Sequence, residues 1–179
     1  MPRVEDYSVA GTANPGLQGW STVRMIGTCN RAGGCQNIYT IAGTAATALS
    51  IPAAFQVATP FGASIGGTNP AFWAILPDSQ YDSWLTIGFD DGTRVGDLSA
   101  IGVPFDGDFG WSADRGIWTN NGAVFYLDPD TGATGDVLLG QLTVRPETRG
   151  NPNSVATMML QGRSVAGEDW SQTNVRFEL

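Results

Sequence analysis

The fold class is decided by the run Thr22-Val-Arg-Met-Ile-Gly-Thr28, the loop Cys29-Asn-Arg-Ala-Gly-Gly-Cys35 and the run Asn37-Ile-Tyr-Thr-Ile41. Both runs alternate over part of their length and are rich in β-branched and aromatic residues, as strands are. The loop between them is short and contains two glycines, so it turns easily. The pattern predicts a β-hairpin closed by a disulfide between Cys29 and Cys35, with two reduced thiols as the alternative.

Strand-like runs recur along the rest of the chain, separated by turn residues. The 24 glycines and 10 prolines lie between these runs and follow no collagen-like period. The apolar run Ala71–Leu76, between Pro70 and Pro77, is predicted to be a buried strand, and helix is expected only as a turn near Asn69 to Phe72. The sequence predicts an all-β fold, a two-sheet antiparallel β-sandwich resembling a jelly roll, with little helix.

The division of the chain follows from a change in polarity near residue 20. Residues 1–20 are polar and contain Asn14-Pro15-Gly16, so they are interpreted as an extended N-terminal arm outside the core. Residues 21–179 are predicted to form a single β-sandwich domain, because 18.9 kDa is a normal domain size. No apolar h-region follows Met1, so no signal or transit peptide is expected in this sequence.

Composition excludes several classes of function. The formal charge is −8, the nine cations are all Arg, and there is no His. The absence of a basic stripe argues against nucleic acid as a partner, and the mean hydropathy of −0.06 argues against membrane insertion. Without His, there is no Ser-His-Asp or Cys-His pair, and the four Glu are scattered, so an enzyme is not expected.

A distinctive stretch runs from Gly66 to Gly88 and contains Asn69-Pro-Ala-Phe-Trp73 and Tyr81-Asp-Ser-Trp-Leu-Thr-Ile-Gly88. It resembles β-rich modules of uncharacterised, mostly secreted proteins of algae and aquatic microbes. The likeness continues into residues 121–128 and 137–144 and covers most of residues 22–179. The resemblance implies a surface or structural role, and it implies no catalytic residue or cofactor.

The aromatic residues of this motif also have a purely structural interpretation. Tyr81, Trp84 and Trp73 are expected to pack in the core at a corner between the sheets. Asp82 and Ser83 are expected to bind local backbone groups.

Two loops are candidates for ligand binding. Trp111 and Trp118 lie in a glycine-rich polar stretch beside Asp114 and Arg115, and exposed indoles next to such groups can bind carbohydrate. The second loop contains Asp128, Asp130 and Asp136, whose carboxylates on a flexible loop suit Ca²⁺. That loop lacks the closing Glu of an EF-hand, and the competing interpretation is that these Asp residues form turns. Apart from this candidate Ca²⁺, no cofactor is expected.

The leading functional hypothesis is a non-enzymatic structural protein that self-assembles into a filament, tube or sheet. An extended arm becomes ordered when something holds it, and adding a strand to a neighbouring subunit's sheet does this. The partner is then the protein itself, and a head-to-tail contact gives an open polymer. A carbohydrate-binding module, with a polysaccharide partner, is the alternative. The predicted disulfide favours an extracellular or cell-surface location, with the wall of an intracellular compartment as the other possibility.

Overall fold

The computed structural model contains two antiparallel β-sheets and little helix, which confirms the predicted all-β sandwich. The structure describes residues 2–7, 17–30, 32–94 and 96–179. Short 3-10 helices occur at Pro70–Phe72, Pro77–Tyr81 and Pro129–Thr131. The strands are β1 (Arg3–Asp6), β2 (Ser21–Thr28), β3 (Asn37–Gly43), β4 (Leu49–Ile51), β5 (Trp84–Leu85), β6 (Leu98–Ile101), β7 (Ile117–Thr119), β8 (Gly122–Tyr126), β9 (Asp136–Val144), β10 (Val155–Arg163) and β11 (Asp169–Glu178).

The smaller sheet has the strand order β1-β2-β9-β5. Its centre is the long pairing of β2 with β9, which runs from Ser21 opposite Val144 to Thr28 opposite Asp136. The edges are β1, which pairs along its whole length with β2, and β5, which pairs over two residues with β9. Both strands are short, and among the described strands β1 pairs with β2 alone, whereas β5 also has an isolated parallel bridge from Leu85 to Ile65 on its other side.

The larger sheet is built around β10. One side of β10 pairs with β11, and the other side pairs first with β3 and then with β4. In the next row, β8 pairs with β3 and β7 pairs with β4, and β6 follows beside β8. The strands β3 and β4 thus continue one line that is interrupted after Gly43. A side chain at Gly43 would overlap the Thr119 carbonyl oxygen, so glycine is needed there.

The core lies between the two sheets. It joins fully buried side chains of the smaller sheet, such as Met25 and Leu142, to those of the larger sheet, such as Ile41 and Phe177. A second, smaller cluster of Ile26, Trp84 and Leu138 lies apart from this main core.

The structure corrects the predicted hairpin, because β2 and β3 belong to different sheets. The disulfide is present, with a Cα–Cα distance of 5.5 Å, and its loop carries the chain from one sheet to the other. On one side, the N–H of Cys29 donates to Gly135 beside β9; on the other, the N–H of Gln36 donates to Arg163 at the end of β10. A hairpin and a crossing between sheets both require a short turning loop, so the sequence pattern does not separate them.

Two further expectations change. Residues 71–76 form the end of the 3-10 helix Pro70–Phe72 and the partly exposed turn after it, and not a buried strand, because Asn69 caps the helix by accepting the N–H of Ala71 at 2.9 Å. The helical turn expected near Asn69 to Phe72 is confirmed.

The interpretation of residues 1–20 as an arm outside the sandwich is wrong for residues 3–6, which form β1. Met1 and residues 8–16 of that arm lie outside the described residues.

Candidate functional site

The first candidate site is the edge of the smaller sheet formed by β1. Val4 lies opposite Met25 and packs against the main core. Exposed ion pairs hold the flanking residues: Arg3 contacts Asp136 at 2.9 Å, and Asp6 contacts Arg149 at 2.8 Å. The hydrogen bond from Arg3, assisted by one from Thr28, lowers the pKa of the Asp136 carboxyl. This edge is therefore held by backbone pairing, one apolar side chain and surface charge.

The second candidate site is the loop of residues 104–116, which we call the acidic loop. Its own residues line an open cleft of about 390 Å³, among them Asp106, Asp108, Trp111, Asp114 and Arg115. The structure thus brings together three of the four predicted carbohydrate residues. An adjoining cleft of about 360 Å³ shares Asp106 and Trp111 and is closed on its other side by residues 56–64.

The expected exposure of Trp111 is wrong. Trp111 is 4% exposed, and its indole Nε1–H donates to the Pro52 carbonyl oxygen at 2.9 Å. It belongs to the main core and also lines the cleft of the acidic loop. The exposed aromatic ring of this loop is Phe109, which is 76% exposed, with the Arg115 guanidinium 5.2 Å from the ring centroid. Sequence reasoning missed Phe109, although the glycines and aspartates around it favour exposure.

Trp118 is exposed but lies elsewhere, in β7 of the larger sheet. Its cross-strand neighbour is Ser50 in β4. Asp114 is engaged by Arg145, whose Nη2 lies 2.6 Å from the Asp114 carboxylate, while Arg145 also lies over the Trp20 ring. The predicted pair of exposed indoles in one site is therefore replaced by a single exposed ring, Phe109, beside Arg115.

Asp82 of the distinctive motif is fully buried and ties the adjoining loop to the sheet. Its carboxylate accepts the backbone N–H groups of Val57 at 2.8 Å, Ala63 at 2.7 Å and Ser83 at 2.9 Å. Burial raises the pKa of Asp82 to about 7, although these three hydrogen bonds act in the opposite direction. The carboxylate thus holds both ends of residues 57–63, the far wall of the second cleft.

The other motif residues also follow the structural interpretation. Tyr81 and Trp84 are buried, and Trp73 is partly buried, with its indole N–H donating to Thr68. Ser83 accepts the backbone N–H of Thr143 at 2.9 Å, and Gln141 donates to the carbonyl oxygens of Gln80 and Asp82 at 3.0 Å. The motif is a buried polar anchor for β5.

The predicted calcium loop does not gather its three carboxylates. Asp128 caps the 3-10 helix by accepting the N–H of Asp130, Asp130 pairs with Arg163, and Asp136 pairs with Arg3. Within residues 2–7, 17–30, 32–94 and 96–179, no group of three or more His, Cys, Asp or Glu side chains is arranged to hold a metal ion. Turn formation and arginine pairing account for these aspartates.

No protein-family model, no curated protein and no solved structure matches the chain. In the part of the chain that the structure describes, no helix has the length and apolar character needed to cross a membrane.

Proposed function

We propose that the protein is a non-enzymatic structural subunit that self-assembles into an extended polymer by strand exchange, in which β1 of one copy pairs with β2 of the next. The observation that supports this is the way β1 is attached. It lies at a sheet edge, pairs with β2 alone among the described strands, and is separated from β2 by fourteen residues, 7–20. A hairpin connection needs only about two to five residues.

The receiving surface for a neighbour's β1 already exists in each subunit. A second copy's β1 would meet the same backbone edge of β2, the same space for Val4, and the same charges at Asp136 and Arg149. Because the contacts are identical within and between chains, exchange changes little in contact energy. Concentration then determines which arrangement is populated.

The length of the connection permits the exchange. Fourteen residues extend to about 46 Å at most, and a domain of this size is about 40 Å across. If each subunit gives β1 to one neighbour and receives it from another, the contact is head-to-tail and produces an open polymer. The disulfide supports an oxidising environment, and we place the polymer outside the cell or at its surface.

Electron microscopy of the purified chain over a range of concentrations tests the proposal. We expect filaments, tubes or sheets for the unchanged chain and for Glu5→Gln, which alters an outward side chain of β1. Val4→Asp is expected to remain folded by circular dichroism but to form no polymer, because a carboxylate would enter the core. Polymers of Val4→Asp, or dispersed particles of the unchanged chain at every concentration, would contradict the proposal.

A covalent lock separates strand exchange from other assembly. Val4 and Met25 are directly opposite, so Val4→Cys with Met25→Cys can form a disulfide that keeps β1 on its own chain. The oxidised variant should remain monomeric and should polymerise when a reductant is added. The unchanged chain with the same reductant controls for loss of the bond between Cys29 and Cys35.

A second candidate function, carbohydrate binding, is favoured by the exposed Phe109 ring. A sugar face can stack on such a ring, while Arg115 and the carboxylates of Asp106 and Asp108 bind hydroxyl groups. A glycan array with Phe109→Ala, and with Trp118→Ala as the matched aromatic control, tests this function. Binding that is lost only in Phe109→Ala supports it, and absence of binding by the unchanged chain contradicts it.

A further inference from the structure

The outer face of the larger sheet carries no charged side chain over a wide area. Side chains alternate along each strand, and the core residues Leu98, Ile41, Val124 and Met158 mark the inward positions. The residues between them point outward and are uncharged over the middle of the sheet, while Arg163 at the end of β10 and Asp169, Arg176 and Glu178 of β11 take outward positions at its border. The uncharged residues are Ser99 and Ile101 of β6, Ala123 and Phe125 of β8, Thr40 and Ala42 of β3, Met159, Thr157 and Gln161 of β10, Ser50 of β4 and Trp118 of β7. We call this set the neutral face.

The neutral face has an exposed apolar part. Ile101 is 69% exposed and lies opposite Ala123 in the neighbouring strand. Trp118 is 63% exposed, and the line of β7 leads into β8, so Trp118 and Ile101 lie on the same side of the sheet. Small side chains, Ser50 and Ala123, border these two large ones. Exposed large apolar side chains grouped on one uncharged face mark an interaction surface.

We infer that the neutral face packs against the neutral face of a second copy of this chain. Each copy has nine arginines and 17 acidic residues, a net charge of −8, so two copies repel each other overall. An uncharged face is where they approach without that cost. A basic partner would instead be attracted to the acidic loop. The contact joins the same surface on both copies, and Arg176 of β11, opposite Thr157, lies at its border.

This contact does not depend on strand exchange. Exchange of β1 joins subunits through the smaller sheet, whereas the neutral face is on the larger sheet. If both contacts form, strand exchange produces head-to-tail polymers, and contacts between neutral faces join these polymers into a double filament or a sheet.

Sedimentation velocity of the Val4→Asp chain tests the inference, because strand exchange is removed in that background. We expect a reversible monomer–dimer equilibrium. Ile101→Asp places a charge in the contact twice, once from each copy, and should raise the dimer Kd at least about tenfold. Ile75→Asp is the matched control, since Ile75 is the same residue type, is 70% exposed and lies outside the strands, in the turn after the 3-10 helix Pro70–Phe72. Its Kd should be unchanged.

Two results would overturn the inference: a monomer at all concentrations up to about 1 mM, the range of weak contacts, or a dimer that Ile101→Asp does not weaken. The oxidised Val4→Cys, Met25→Cys chain provides a second background in case Val4→Asp folds poorly. Failure of the two proposals is distinguishable: loss of strand exchange leaves these dimers, while Ile101→Asp in the unchanged chain leaves single head-to-tail chains visible by electron microscopy.

Discussion

The two edge strands of the smaller sheet are attached in different ways. β5 is a strand of only two residues, although the backbone of Leu85 also bonds to Ser64 and Gly66 on its other side. Buried side chains hold its surroundings: the Asp82 carboxylate, the Ser83 hydroxyl and the Gln141 amide all bind backbone groups away from water. β1 pairs over four residues, and exposed ion pairs hold its ends. We therefore expect the burial of the anchoring groups, more than strand length, to determine how firmly each edge is held.

The largest effect is expected when the buried anchor at the β5 edge is removed. Asp82→Ala leaves three backbone N–H groups without their acceptor, and we expect a loss of about 3 kcal/mol in the free energy of unfolding. Urea denaturation measures this loss. Asp6→Ala, at the β1 edge, removes a surface partner and should leave the midpoint nearly unchanged. Equal losses for the two variants would break the comparison.

The same carboxylate predicts an unusual pH dependence. The pKa of Asp82 is about 7 in the folded chain against 3.8 for an ordinary Asp, so the folded state binds more protons between these values. Stability should therefore rise as the pH falls, by about 3 kcal/mol from pH 8 to pH 5. Since the chain has no His, no other side chain with an ordinary pKa titrates in this window.

Urea denaturation at pH 5, 6, 7 and 8 checks the sign and the assignment. Asp82→Asn should show a nearly flat profile over the same window. At the β1 edge the sign is reversed: the pKa of Asp136 is lowered by Arg3, so its contribution is present at neutral pH and is lost only in acid, below the ordinary Asp range. Stability of the unchanged chain that falls between pH 8 and pH 5 would contradict the role given to Asp82.

The apolar contact of β1 is expected to have an intermediate effect. Val4 is partly buried against the core, and Val4→Ala should cost about 1 kcal/mol in urea denaturation, less than a fully buried valine. Glu5→Ala, the outward neighbour on the same strand, is the control and should cost less. If both variants behave alike, Val4 does not anchor the strand.

The sequence predicts local structure here better than it predicts which elements meet. Alternation near residues 22–28 and 37–41 indicates strands, and the spacing of Cys29 and Cys35 indicates their bond. The same pattern does not reveal that the loop crosses between sheets, because strand pairing depends on distant partners in β9 and β10.

The candidate sites also depend on residues that are distant in the sequence. Trp111 has polar neighbours in the sequence, which favour exposure, but its indole reaches back to Pro52 in an earlier loop. The local bonding predicted for Asp82 is correct at Ser83, while its bonds to Val57 and Ala63 join residues about twenty positions away. β1 is only four residues long, too short for its alternation to be distinguished from that of a polar arm.

The smallest effect is expected at the ion pair between Arg3 and Asp136. Both side chains are substantially exposed, so Asp136→Asn should shift the urea midpoint less than Asp82→Ala or Val4→Ala does. The shift should vanish in about 0.5 M NaCl, where the screening length is about 4 Å. A loss larger than that of Val4→Ala would mean that charge holds β1 on the sheet. Strand exchange would then weaken with salt, and polymers that persist at high salt would show that backbone pairing and Val4 are sufficient.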